Sequence, residues 1–190
     1  MLPRLPLVED VRDFWAFSKA GRKLAFLHLD YESNVKEYEL IDGIIDYSQP
    51  KKYESEYLMV AEPATPYYTQ TEINKCKVEK MRFPKLPSPF GEGAGVRLDK
   101  SKIIYNSFIT IKNIPEAAYQ YVVNGKSAIE WVMERYQITT HKESGIVNNP
   151  NDWAREARNP RYILDLLLSV ISLSEQTVEI VRNLPDVRFE

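Results

Sequence analysis

Residues 119–132, "YQYVVNGKSAIEWV", contain Gly125, Lys126 and Ser127, the closing letters of a phosphate-binding loop. Such a loop needs a further glycine five residues before the Gly-Lys pair, so that successive backbone N–H groups can curl around phosphate. Position 120 is Gln, and the bulky, β-branched run before Gly125 cannot form that cradle. The residues fit a helix start better: Asn124 and Gly125 make a turn, Ser127 caps a helix, and Glu130 completes a capping box. ATP chemistry is not expected here.

The other reactive residue types are sparse. Cys76 is the only cysteine and His28 and His141 the only histidines, so neither a disulfide nor a zinc site is expected. Cys76 is expected as a half-buried strand residue, and His28 as a core-edge imidazole with one backbone partner. Gly91, Gly93 and Gly95 stand at spacing two without the strand-then-helix context of a dinucleotide fold, and predict a loop tip. Asn149-Pro150-Asn151 is similar to the Asn-Pro-Pro-aromatic loop of amino-methyltransferases, but lacks the second proline and the aromatic that stacks on the base. No convergent set of nucleophile, base and stabiliser emerges, so the chain is expected to be non-catalytic, with no metal and no cofactor.

Charge is more informative. The net charge of the 190 residues is −2, which argues against a nucleic-acid partner if taken as an average. Yet residues 75–112 hold 9 basic and 3 acidic side chains, a net of +6, between acidic flanks of −5 and −3. Because exposed charges are screened beyond about 8–10 Å, such a block can present a positive face regardless of the total.

The elements that would position this block are readable in outline. Residues 2–32 predict a proline-bounded lead followed by helix, with Val11, Phe14, Trp15 and Ser18 on one face and Leu24, Leu27 and His28 on another, and Gly21 as the break between two short helices. Residues 35–61 predict short strands or irregular loops, with a hairpin turn at Asp42-Gly43. "NKCKVEKMRF", residues 74–83, alternates as a strand, and "KIIYNSFITIKNIP" as a second strand region with a bulge or turn at Asn106-Ser107. After Pro115 the period changes to helical: "EAAYQYVV", "SAIEWVMERY" and a long amphipathic helix closed by Pro185, with Ile163, Leu167, Val170, Ile171, Val178 and Val181 as its stripe. Trp131 and Trp153 are expected to be buried anchors. The fold class is α+β, one domain over 1–190, with a strand-rich centre packed against N- and C-terminal helices. No run approaches the roughly 18 apolar residues of a membrane span, and the expectation is a cytoplasmic domain without a membrane partner.

The run from Tyr105 to Glu156, followed by "PRYILDLLLSVISLSEQTVEIVRNLP", resembles the C-terminal specificity domain of type ISP restriction-modification enzymes, as does the lead "LPRLPLVEDVRDFWAFSKAGRKLAFLHLDYE". The "NGKSAIEWVMERYQ" to "GIVNNPNDW" block carries the likeness, which covers about two thirds of the chain; the centre is only loosely similar. In that family one polypeptide carries a nuclease, a translocase, an N6-adenine methyltransferase and a C-terminal target recognition domain. The resemblance implies a chain that reads duplex DNA beside an adjacent methyltransferase domain, as a fragment of a larger enzyme. On that implication Lys75, Lys77, Lys80, Arg82, Lys85, Arg97 and Lys102 are expected at phosphates, and Arg82, Arg97 and Asn106 at base edges. The alternative is a coupling domain that docks on its neighbours and reads no DNA.

Overall fold

The computed structural model describes residues 8–32, 36–51, 68–86 and 97–186. Asp10 caps α1 (Val11–Leu29), accepting from the Arg12 N–H at 2.7 Å. The helix runs unbroken through Gly21, contrary to the expected break. An interior glycine costs only about 1 kcal/mol against alanine, and the packing of α1 on the last helix of the chain outweighs it. Of its two apolar faces, only the one carrying Leu24, Leu27 and His28 faces the core; Val11, Phe14 and Trp15 stay exposed.

A hairpin follows, β1 (Leu40–Ile41) and β2 (Ile44–Asp46), turned by Asp42 and Gly43 at φ 48° and 79°. The left-handed pair is what a two-residue hairpin turn demands, and a Cβ on Gly43 would stand 2.4 Å from the Phe108 carbonyl oxygen. Next comes α2 (Gln70–Cys76), opened by a Thr69/Glu72 capping box. Here the alternating reading of residues 74–83 is corrected. The cap starts a helix that includes Asn74, Lys75 and Cys76, and the chain from Lys77 to Phe83 runs extended, bridged at Arg82 to Ile104. Cys76 is therefore a buried helix-end residue, and burial pushes its thiol up.

β3 (Ile103–Ile104) and β4 (Thr110–Lys112) join the hairpin in a four-stranded sheet of order β1-β2-β4-β3, in which only β2 and β4 run parallel. The turn expected at Asn106-Ser107 connects β3 to β4. The stretch 116–123, expected as helix, is a 3-10 turn (Glu116–Gln120) and then β5 (Val122–Val123), which pairs with β6 (Lys126–Ser127) across Asn124 and Gly125 at φ 49° and 84°. Two adjacent β-branched residues beside an Asn-Gly turn favour the hairpin over a further helical turn. Ser127 then caps α3 (Ala128–Arg135), and its box with Glu130 is complete.

A small hairpin, β7 (Thr139–Thr140) and β8 (Val147–Asn148), precedes α4 (Asn151–Glu156) and the long α5 (Tyr162–Arg182). α5 is the spine. Its first half is apolar nearly all round and buried, as a helix surrounded by other elements must be: Ile163, Leu164, Leu167, Leu168 and Ile171 are sealed among the sheet, α3, α1 and the 3-10 turn. Of the expected stripe, Val178 is half-buried and Val181 exposed. The result is a mixed α+β structure in which the N-terminal helix packs on the C-terminal one. Among the described residues no helix is long and apolar enough to cross a membrane.

Both tryptophan expectations are corrected. Trp131 is 39% and Trp153 60% exposed. Trp131 lies over the β5–β6 hairpin, donating its indole N–H to the Val123 carbonyl at 2.7 Å with Lys126 above its ring. A short α4 on the surface leaves Trp153 outward. His28 sits as expected at the core edge, with Nδ1 donating to the Leu24 carbonyl at 2.8 Å and Nε2 accepting from the Tyr121 hydroxyl at 3.1 Å.

Candidate nucleic-acid interface

The basic residues are displayed by the backbone from the end of α2 to residue 86. Val78 and Met81 insert into the core, while Lys75, Lys77, Lys80, Arg82 and Lys85 remain exposed. Lys80 and Arg82 lie two residues apart on an extended chain and so share a side. Arg82 exchanges both backbone hydrogen bonds with Ile104, at 3.0 and 2.9 Å. Further out, Leu86 N–H donates to the Arg97 carbonyl at 2.9 Å and Lys85 pairs with Leu98. Lys85 and Arg97 therefore flank the base of the 87–96 connection, and the expected Gly91/Gly93/Gly95 loop lies outside the described residues.

Three side chains hold this backbone in place. The last turn of a helix leaves carbonyls without partners, and here they are taken from inside the protein. Tyr105 donates its hydroxyl to the Cys76 carbonyl at 3.0 Å. Asn106 donates through Nδ2 to the carbonyls of Lys75 and Lys77 at 2.8 and 2.7 Å, while its Oδ1 accepts from the N–H groups of Phe108 and Ile109 at 2.8 and 2.7 Å. Asn151, from the start of α4, acts like one rung of a strand ladder on Val78, accepting from its N–H at 2.8 Å and donating to its carbonyl at 2.9 Å. A buried amide with every donor and acceptor used is a rigid fixture.

That geometry corrects the expectation for Asn106. It is 4% exposed and has no free hydrogen-bonding group for a base edge. Asn151, singled out in the methyltransferase-like tripeptide, is likewise a backbone clamp.

The remaining cations divide by partner. Lys102 is bound to Asp99 at 2.7 Å, and this ammonium, with the Ser101 hydroxyl, holds the Asp99 carboxyl below its usual range. Lys100 pairs with Glu130 at 2.9 Å and stands over the rings of Tyr119 and Phe83. Burial alone would raise the Glu130 carboxyl, but Ser127 and Lys100 together lower it. By contrast, Lys75, Lys77, Lys80, Arg82, Lys85 and Arg97 make no ion pair among the described residues. Five of these lie on the segment 75–86 and Arg97 on the chain bonded to its end, an arrangement that can bind a polyanion; no metal cluster accompanies them among the described residues. Sequence reasoning missed Arg155 and Arg158, which line one groove with Lys77 although they lie far from it in sequence.

The chain is similar to several proteins of known structure. The Type ISP restriction-modification enzyme LlaGI, solved as a nuclease-deletion mutant in complex with a DNA substrate mimic, matches with a TM-score of 0.63 and 38% identity over 100% of this chain and 14% of that one. LlaBIII, an ATP-dependent Type ISP enzyme solved bound to DNA, matches with a TM-score of 0.61 and 35% identity over 100% of this chain and 10% of that one. The DrdV–DNA complex shares the fold at 23% identity, with a TM-score of 0.60 over 98% of this chain and 15% of that one. None of the curated proteins matches. The present chain thus spans a small part of the enzymes it matches. The family described as the Type ISP C-terminal specificity domain matches residues 1–166, and with full-length similarity to two Type ISP enzymes at more than a third identity, the chain belongs to that family.

Proposed function

We propose that this chain reads duplex DNA for a larger restriction-modification enzyme and positions it for an adjacent N6-adenine methyltransferase, contributing no catalytic group of its own. The observation that carries the reading is the group of six cations without an ion pair among the described residues, Lys75, Lys77, Lys80, Arg82, Lys85 and Arg97, of which Lys75 and Lys77 stand on backbone fixed by Tyr105, Asn106 and Asn151. Cations with no ion pair to break replace condensed counterions on DNA at little internal cost. The DNA complexes of LlaGI and LlaBIII support the same reading. Arg82 and Arg97 are the candidates for base edges; the Asn106 amide is fully engaged with backbone, and Lys102 is held by Asp99. Residues 1–190 act as one target recognition domain of a cytoplasmic polypeptide whose translocase and nuclease lie elsewhere.

The coupling reading also has an observation in its favour. Val11, Phe14, Trp15, Phe26 and Leu29 form an exposed apolar row along α1, a surface of the kind that neighbouring domains cover.

Salt titration separates the two. With about five phosphate contacts, log affinity for duplex should fall against log salt with a slope of about −4 to −5. Lys80→Ala with Arg82→Ala should flatten that slope by about two units. Arg97→Ala should cost about 1–3 kcal/mol on a duplex selected from a randomised pool, and much less on scrambled sequence. Equal affinities and a common shallow slope for all these proteins would leave the coupling reading in its place.

A further inference from the structure

Between α2 and α4 the surface opens into a groove of about 520 Å³. Its floor is apolar, from Tyr68, Ile73 and Ala154, and its charged lining residues are Lys77, Arg155 and Arg158, with no carboxylate among them. Lys77 also belongs to the cation strip, so the groove continues that strip around the end of α2. Arg155 is steadied by Asp152 at 2.9 Å, whereas the Arg158 guanidinium has no partner among the described residues.

The backbone at Arg158 is the unusual feature. After α4 the Asn159 N–H returns to the Ala154 carbonyl at 3.0 Å and the Arg158 N–H to the Arg155 carbonyl at 3.1 Å. This is the double hydrogen-bond closure that places one residue in the left-handed region, a position commonly filled by glycine. Here it holds Arg158, at φ 54°. A long side chain in that conformation is disfavoured by its Cβ, and an unstrained alternative, glycine, was open to the sequence. Strained positions that carry a functional side chain recur at ligand clamps.

We propose that this groove seats a backbone phosphate of the bound DNA, gripped by Arg158 and Arg155 on one wall and Lys77 on the other, with a deoxyribose against Tyr68 and Ile73. The site rests on the DNA-reading function above and extends its footprint beyond the basic block. An arginine fork suits phosphate oxygens in a way that a point charge does not.

The test uses the full chain and a fluorescein-labelled mixed-sequence duplex, with Arg158→Gly, Arg158→Asn and Arg158→Lys measured beside Lys80→Ala/Arg82→Ala. Glycine and asparagine both accept the left-handed conformation, so melting temperature should hold or rise in these variants. Duplex affinity should drop several-fold and the salt slope should flatten by about one unit; lysine should restore the slope. If the Gly and Asn variants bind as the unmodified chain does while the Lys80/Arg82 variant weakens, this site is overturned and DNA reading stands. If both variants melt lower, Arg158 serves the fold and the proposal also fails. If the unmodified chain shows no salt-dependent binding, the site falls together with the function it rests on.

Discussion

Two regions of this molecule reach order by opposite routes. α5 is held by apolar burial: Ile163, Leu164, Leu167 and Ile171 are sealed in the core, and any hydrophobic residue of similar volume would hold the helix nearly as well. The strip from Lys75 to Leu86 buries only Cys76, Val78 and Met81 fully, and it depends on directional bonds from Tyr105, Asn106 and Asn151 to its main chain. The first route makes a spine tolerant of change. The second spends side chains on fixing a backbone, so that the side chains of the strip itself stay free to face solvent. A surface that meets DNA, as proposed, would profit from that division, because its exposed cations carry no duty to the fold.

The largest expected effect lies in the spine. Leu167→Ala removes a wholly buried side chain, and should cost about 3–4 kcal/mol in urea unfolding. If the groups facing DNA are independent of α5, the surviving folded protein should keep the salt slope of the unmodified chain. A change in slope would show that the two regions are coupled.

Next comes Asn106→Ala, which strands two carbonyls and two N–H groups that the amide now satisfies. Some regain partners by local relaxation, and the remainder should cost about 2–3 kcal/mol. Unlike Leu167→Ala, it should also lower duplex affinity, because Lys75 and Lys77 lose their fixed positions. Unaltered binding with lowered stability would mean that the strip orders itself on DNA, and the contrast between the regions would weaken.

A pH effect probes the spine's margin. Tyr38 stacks on Tyr47, which donates its hydroxyl to Glu175 of α5 at 3.1 Å. Burial lifts the Tyr38 phenol from 10.0 to about 12. The folded state therefore holds that proton more tightly than the unfolded chain. Stability from this group is complete below pH 10 and is lost as pH rises from there through about 12, amounting to about 3 kcal/mol. Urea midpoints across that window should fall for the unmodified chain and fall less for Tyr38→Phe; parallel curves would reject Tyr38 as the cause.

How much of this was legible in the sequence follows the same division. Apolar period and capping boxes are local signals, so α5, the Ser127–Glu130 box and the Asp42-Gly43 hairpin could be read directly. The residues 74–83 could not. Their alternation suggested a strand, but the Thr69/Glu72 cap and the distant Asn106 and Asn151 decide their shape. Asn106 reads as a base contact in sequence for the same reason, since an asparagine that bonds backbone and one that bonds adenine look alike in a string of letters. The burial expected of Trp131 and Trp153 rested on residue type alone, and the short hairpin and short α4 beneath them cannot cover an indole. Arg155 and Arg158 joined the cationic surface only through tertiary proximity, for which no local signal exists.

The smallest effect separates cations that the net charge of +6 counts as equal. Lys80 has no ion pair among the described residues, whereas Lys102 is committed to Asp99 and its side chain keeps 42% of its exposure. A lysine that already neutralises a carboxylate can release few counterions from DNA unless it abandons that partner. Lys80→Ala should therefore flatten the salt slope by about one unit, while Lys102→Ala should change it by a small fraction of that. Asp99→Asn supplies the reciprocal arm: it frees the Lys102 ammonium and should steepen the slope slightly if that ammonium lies near a phosphate. Equal flattening by Lys80→Ala and Lys102→Ala would mean that the Asp99 pair opens when DNA binds, and the division of the basic block into free and committed cations would have to be given up.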